Sequence, residues 1–182
     1  MLNWQPHDPE MYEDVQTRYT YAHSNLKKTP EERLKKMWRS SRDSARTPVQ
    51  WDDSENAGFT TGSPWFYVNE NYKRINVVQQ ENDPDSILNF YRKAIGVRKA
   101  LPVVRYGAYR EFFPLSSKVY CYSREMEGEK LLVLCSFSEK KTALRVPKGF
   151  DLSQAELILH NYPDTMGGDL LPYECRVYHW KN

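Results

Sequence analysis

No run of apolar residues in this 182-residue chain approaches the roughly 20 that a membrane-spanning helix needs, so no membrane partner is expected. The opening Met1-Leu2-Asn3-Trp4-Gln5 has no charged segment leading into an apolar core and does not read as a secretory leader. A surplus of one charge is missing too: 26 Lys and Arg against 24 Asp and Glu leave +2. The basic residues are interspersed with acids rather than gathered in a stripe, which argues against nucleic acid as a partner. Cysteine is scarce. Cys121, Cys135 and Cys175 are odd in number, widely spaced and form no CxxC. That pattern fits free thiols in a reducing cytoplasm better than a disulfide framework or a zinc site. Cys121 and Cys135 lie in apolar strand-like runs, where a thiol serves as a small hydrophobe. Internal repeats and low-complexity segments are also lacking.

Length and aromatic content stand against these absences. A chain near this size buries roughly 70% of the surface its unfolded form exposes, so a core can form without disulfides or metals. Aromatic residues make up 14%, with thirteen Tyr and five Trp. Such rings stack on sugars and also fill cores, and composition does not choose between the two.

The first fifty residues read as helical. Asp8-Pro9-Glu10 is a start signal, with an acid to cap, Pro at the first helical position and an acid in the first turn. Met11, Tyr12, Val15 and Tyr19 follow at helical spacing. Thr29-Pro30-Glu31-Glu32 predicts a capping box. Lys35, Lys36 and Arg39 then favour the C-terminal end of the helix dipole, and with Glu31 and Glu32 they read as a solvated face. From residue 42 to about 82 the helical period vanishes among Thr, Ser, Asn, Asp, Gly and Pro, which predicts a long loop. Trp51, Phe59, Trp65, Phe66 and Tyr67 within it imply that it packs onto something. Asp83-Pro84-Asp85-Ser86 opens the best helix, with Ile87, Leu88, Tyr91, Ala94 and Ile95 on one face, and Pro102 stops it.

Strand patterns follow. Val119-Tyr120-Cys121-Tyr122-Ser123 and Leu131-Leu132-Val133-Leu134-Cys135-Ser136-Phe137 flank a turn at Gly128 and predict a hairpin. Further strands are expected at Ala143-Leu144-Arg145-Val146, at Glu156-Leu157-Ile158-Leu159-His160 and from Tyr173 to Trp180. Short strands with no helix between them predict an antiparallel sandwich or barrel.

Few residues look like catalytic machinery. His7 and Asp8 are sequence neighbours that point apart, and Asp8 reads as the helix cap before Pro9 and Glu10. Asp52-Asp53 reads as a turn, since a carboxylate pair working on a sugar needs its two carboxyls about 5–5.5 Å apart and facing one another. His160-Asn161-Tyr162-Pro163-Asp164 reads as a polar turn, and Gly167-Gly168 is too short to cradle a phosphate. Arg42-Asp43-Ser44-Ala45-Arg46-Thr47-Pro48-Val49-Gln50-Trp51-Asp52 is different, with two arginines four apart around an acid. If Asp43 pairs with one arginine, the other keeps donors suited to sugar hydroxyls or a carboxylate. The alternative is a structural ion pair pinning the loop.

That segment resembles the RDNARTPMQWD-like motif of the oligo-1,6-glucosidase group of the α-amylase superfamily (glycoside hydrolase family 13). The likeness continues through Asn56-Ala57-Gly58-Phe59-Thr60-Thr61-Gly62-Ser63-Pro64-Trp65, Val68-Asn69, Asn71-Tyr72-Lys73, Ile75-Asn76-Val77, Asp83-Pro84-Asp85-Ser86-Ile87 and Arg98-Lys99. Val104-Arg105-Tyr106-Gly107 and Leu171-Pro172-Tyr173-Glu174 extend it into the C-terminal part. Ser44 and Val49 depart from the usual Asn and Met. The resemblance implies an α+β fold: the helical end of a (β/α)8 barrel, meaning the segment after strand eight and the last helix, over residues 1–102, then an antiparallel β-sandwich domain over 103–182. It implies a retaining α-glucosidase whose Asp nucleophile, Glu acid/base and second Asp lie in barrel segments this chain does not show. The chain itself is then expected to be non-catalytic, with Arg42 and Arg46 facing an oligosaccharide substrate and neither metal nor cofactor. Without a partnering barrel, the Ile87, Leu88, Tyr91 and Ile95 face is expected to drive dimerisation or another rearrangement. Two other readings stay open: a trehalose-6-phosphate hydrolase parent, and a stand-alone carbohydrate-binding or packing β module using Trp180, Tyr162 or Trp65 as platforms.

Overall fold

The computed structural model describes residues 4–23, 26–163 and 168–181, so the expectations at Met1-Leu2-Asn3, Asp164 and Gly167 lie outside the described residues. The chain forms two compact units, Met1–Asp83 and Pro84–Asn182. The helix that the sequence reading grouped with residues 1–102 thus falls in the second unit.

In the first unit, Asp8 caps a 3₁₀ turn, Pro9–Met11, by accepting from the Glu10 amide. The helical run expected to continue through Tyr12 breaks there. A new helix, α1 (Val15–His23), starts after Asp14, whose Oδ2 accepts from the Thr17 amide at 3.0 Å and the Thr17 hydroxyl at 2.6 Å. The break separates the expected apolar face: Tyr12 is fully buried, whereas Val15 and Tyr19 are exposed. Helix α2 (Pro30–Ser40) begins with the expected capping box between Thr29 and Glu32. Its Leu34 and Met37 pack with Trp4, Tyr12 and Phe66 into the core of this unit. Trp4 meets Tyr12 and Phe66 edge-on at 5.1 Å and stacks on Tyr67 at 5.8 Å.

The long segment after α2 is held by its own backbone. Val77 N donates to Gln50 O at 2.9 Å and Val78 N to Trp51 O at 3.0 Å. These bonds anchor a short helix, α3 (Val77–Asn82), capped by Asn76. Between them the chain turns back through three successive residues of positive φ, Asn56 at 52°, Ala57 at 58° and Gly58 at 64°. The Ala57 carbonyl accepts from both Trp51 N and Asp52 N. A Cβ at Gly58 would sit 2.6 Å from the Asp52 carboxylate oxygens, so a side chain there would have to displace Asp52 at a left-handed backbone angle.

The second unit opens with α4 (Ile87–Ala100), capped by Ser86 Oγ on the Asn89 amide. Leu101 ends it and Pro102 starts another short helix, α5 (Pro102–Tyr106), where a turn to strand was expected. Proline fits that first position because its missing N–H is unpaired there anyway. Five strands follow: β1 (Ala108–Phe112), β2 (Val119–Met126), β3 (Glu129–Ser136), β4 (Glu156–His160) and β5 (Cys175–Lys181). They form one antiparallel sheet in the order β1-β2-β3-β5-β4. The β2–β3 hairpin turns at Glu127-Gly128 as expected, with Gly128 at φ 73°.

Central β3 is apolar on both faces, the mark of a strand covered on both sides. Leu132 and Leu134 pack with Cys121, Tyr178 and Trp180 on one face. Leu131 and Val133 pack with Val177 and Val103 on the other. Among the described residues no second sheet completes a sandwich. Leu144, Val146, Phe150 and Leu152 cover one face without strand structure, and α5 with Leu101 covers the other. The expected strand at residues 143–146 is absent; only Thr142 bridges, to Leu170. Near the end, Glu174 and Arg176 are wholly buried and joined by two hydrogen bonds of 2.7 and 3.0 Å.

Candidate functional site

Ser41 ends α2 and its hydroxyl accepts from the Asp43 amide, turning the chain into a 3₁₀ segment, Arg42–Ala45. That turn drives the Asp43 side chain inward until nothing of it is exposed. Its Oδ2 accepts from the Glu13 and Asp14 amides, both at 2.8 Å, and its Oδ1 from Arg46 Nη1 at 3.2 Å. A buried carboxylate with three donors is well compensated. Asp14 is the second acid. Its Oδ1 accepts from Arg42 Nε at 3.1 Å and Nη2 at 2.7 Å. The Thr17 hydroxyl first, and then Arg42, hold its carboxyl below the usual range against the opposing effect of burial.

The two arginines therefore share one arrangement. Each guanidinium is fixed by an acid from behind, and each stays open in front: the Arg42 side chain is 68% exposed and that of Arg46 41%. Sequence reasoning allowed one arginine to stay unpaired. The structure pairs both, because Asp14, 28 residues before Arg42, supplies the second carboxylate. No local spacing signalled that partner. Nearby, the Tyr12 hydroxyl is buried without a hydrogen-bond partner. Burial first, and then Asp43, push its pKa up to about 12.

Arg42, Asp14 and Thr17 line one end of a cavity of about 380 Å³ that also meets Tyr21, Lys28, Arg33, Lys36 and Ser40. Four cations against one acid make it electropositive. Arg33 is spread over the Tyr21 ring at 4.6 Å and donates to the Tyr21 carbonyl at 2.8 Å. A second, more open cavity of about 610 Å³ is bounded by Trp65, Phe66, Tyr67, Asn56 and Glu13.

Other sequence candidates resolve simply. Asp52 accepts from the Ser54 amide and hydroxyl, which makes it a turn residue, and the Ser54 hydroxyl holds its pKa below the usual range. His7 lies edge-on to Trp38 at 5.4 Å and belongs to packing. Trp180, considered as a sugar platform, is 9% exposed and donates to the Asp151 carbonyl, so it is a core residue. Tyr162 is half-buried, with its hydroxyl on the Pro172 carbonyl. Trp65 alone of the three is well exposed, at 65%. His160, Asn161 and Tyr162 form a turn in which His160 Nδ1 contacts the Tyr162 carbonyl at 2.6 Å. Among the described residues no group of three or more His, Cys, Asp or Glu is placed to hold a metal, and no helix is long and apolar enough to cross a membrane.

Comparison with known proteins gives this arrangement its context. The alpha-amylase family, described as alpha amylase, catalytic domain, matches residues 7–107. The oligo-1,6-glucosidase of Parageobacillus thermoglucosidasius is 39% identical over 176 residues, covering 93% of this chain and 31% of its own length. The trehalose-6-phosphate hydrolase of Escherichia coli K12 is 34% identical over 169 residues, covering 90% and 30%. Among solved structures, the trehalose-6-phosphate hydrolase of Bacillus licheniformis superposes with a TM-score of 0.90 at 35% identity, covering 99% of this chain and 34% of that one. The chain thus spans about a third of the length of the curated relatives it matches. With the family matched over more than half its residues, including the segment that fixes both arginines, the chain belongs to the alpha-amylase family of glycoside hydrolases.

Proposed function

We propose that this chain serves a retaining α-glucosidase acting on short α-glucosides, isomalto-oligosaccharides foremost, as a non-catalytic wall and packing domain. In this reading, residues up to the end of α4 form the barrel's last segment and helix, and a separate (β/α)8 barrel supplies the carboxylates. One observation carries it. Arg42 and Arg46 are each clamped by an acid while their outer donors face solvent. A guanidinium held in this way loses little freedom when it takes a sugar hydroxyl. The acids that clamp them are engaged: Asp43 is enclosed by three donors, and Asp14 is consumed by Thr17 and Arg42. Neither is free to act as nucleophile or proton donor, the two roles that retention requires.

The test is glucose release from isomaltose, panose and maltose by the purified chain at high concentration. No release is expected. Turnover that disappears on replacing Asp43, Asp52 or Asp53 would overturn the proposal.

A second reading, a parent acting on trehalose 6-phosphate, is favoured by the electropositive cavity beside Arg42, where Lys28, Arg33 and Lys36 suit an anionic group. Titration of the chain with trehalose 6-phosphate, inorganic phosphate and isomaltose separates the two. Salt-sensitive binding of the phosphates alone supports the second reading, and binding of isomaltose lost in Arg42→Ala supports the first.

A further inference from the structure

We propose that Cys135 and Cys175 form an oxidant-responsive modification site, two thiols directly opposite one another on β3 and β5 that a peroxide converts into an intramolecular disulfide. The register pairs them at the end of the β3–β5 ladder. Ser136 and Glu174, the next positions out, are joined by a hydrogen bond from Ser136 N to Glu174 O of 2.7 Å. Hydrogen-bonded and non-hydrogen-bonded pairs alternate along an antiparallel ladder, so Cys135 and Cys175 occupy a non-hydrogen-bonded position. Cα atoms there lie about 4.5 Å apart, inside the roughly 4.4–6.8 Å span that a disulfide accepts.

The sulfurs are already 3.4 Å apart. A bond of about 2.05 Å requires the sulfurs to close that short gap, a step that rotation of the two side chains can supply at this ladder position. Both thiols are free and half-buried. Cys121 differs: it is fully buried opposite Leu134 on β2, and burial pushes its pKa up to about 12. The two sulfurs contact one another directly. Either can therefore attack first with the other as its resolving thiol, and both routes give the same bond.

The chemistry balances with a peroxide as the sole oxidant. With Cys135 first, its thiolate attacks one peroxide oxygen, the O–O bond breaks, and the departing oxygen takes up the proton that Cys135 gave up, leaving as water. Cys135 is left as a sulfenic acid. The Cys175 sulfur then attacks the Cys135 sulfur, the S–O bond breaks, and the second water leaves with the Cys175 proton. Two thiols lose two electrons and two protons, and the peroxide gains them. The resulting bond ties the last strand to the central one and closes the loop that contains β4.

The experiment treats the whole purified chain with a small excess of hydrogen peroxide, quenches it, and reads intact mass, denatured thiol count and a tryptic map. The expected mass falls by about 2 Da. Titratable thiols fall from the three of the sequence to one, and the map joins the Cys135 and Cys175 peptides. Dithiothreitol reverses all three changes. Oxidation should also raise the melting midpoint by several degrees, as a loop of this length predicts. Cys135→Ser and Cys175→Ala each abolish the 2 Da loss, and Cys121→Ser retains it. Oxygen added to separate cysteines, disulfide-linked dimers on a non-reducing gel, or a 2 Da loss surviving in Cys135→Ser would each overturn the proposal. The tryptic map of the unsubstituted chain decides the matter even where a variant fails to fold.

Discussion

Asp43 accepts two backbone amides, of Glu13 and Asp14 just before α1, and one guanidinium from its own segment, with no contact to solvent. Replacing it with Ala strands those donors, and the expected loss is about 3–5 kcal/mol, read as a lower urea midpoint. Arg46→Ala should cost only about 1 kcal/mol, because its guanidinium is partly solvated and the two amides keep their acceptor. Equal losses for the two variants would show that the amides contribute little. Asp14 makes a prediction about pH. Its folded pKa lies below the unfolded value, so its stabilisation is complete above about pH 4 and is lost as pH falls through the folded pKa. Acid unfolding of Asp14→Asn should therefore be flatter below pH 4 than that of the unsubstituted chain. The sequence made half of this site legible. Two arginines around an acid are visible in a single line of residues, and so is the choice between an ion pair and a sugar contact. The Asp14 clamp was not legible, since nothing about Glu13-Asp14 distinguishes it from a helix-capping acid, and capping Thr17 is indeed part of what it does.

The elements that the sequence showed clearly are those whose signal is local. The Thr29 capping box and the turn at Gly128 each depend on a few adjacent residues and stand where expected; the start signal at Asp83-Pro84-Asp85-Ser86 is local too, and there Ser86 turns out to be the cap. The misses have physical causes. Strand β1 reads Tyr-Arg-Glu in its middle and is largely exposed at the sheet edge, so it lacks the apolar alternation of a half-buried strand. Residues 143–146 have that apolar character but spend it on covering the sheet rather than joining it. Helix α3 is only six residues long and owes its place to the ladder from Gln50 and Trp51. The positive-φ turn at Asn56, Ala57 and Gly58 belongs to this scale as well. Gly58→Ala should cost about 2–3 kcal/mol, since it adds left-handed strain to a clash with the Asp52 carboxylate. Ala57→Gly, at the same backbone angle, should stay within about 1 kcal/mol of the parent. A thermal melt of both variants checks the contrast, and equal shifts would contradict it.

For the molecule as a whole, the open question is what meets α4. Ile87, Tyr91 and Ile95 are exposed at 72%, 64% and 49%, and lie on one helical face. We propose that a second copy covers this face in the isolated chain. Light scattering should then report a mass rising with concentration above the 21.6 kDa of the monomer, and Tyr91→Glu should hold it at that value. A constant monomer mass in the unsubstituted chain would sink the idea.

The strand order has a consequence for biosynthesis. Because β5 lies between β3 and β4, the sheet keeps a gap until residues 175–181 have left the ribosome, some fifteen residues after β4. Until then β3 presents an unpaired, strongly apolar edge, the kind that templates pairing with another chain. Translation that stalls before Cys175 therefore yields nascent chains whose natural neighbours are one another, and chaperone demand should peak in that window.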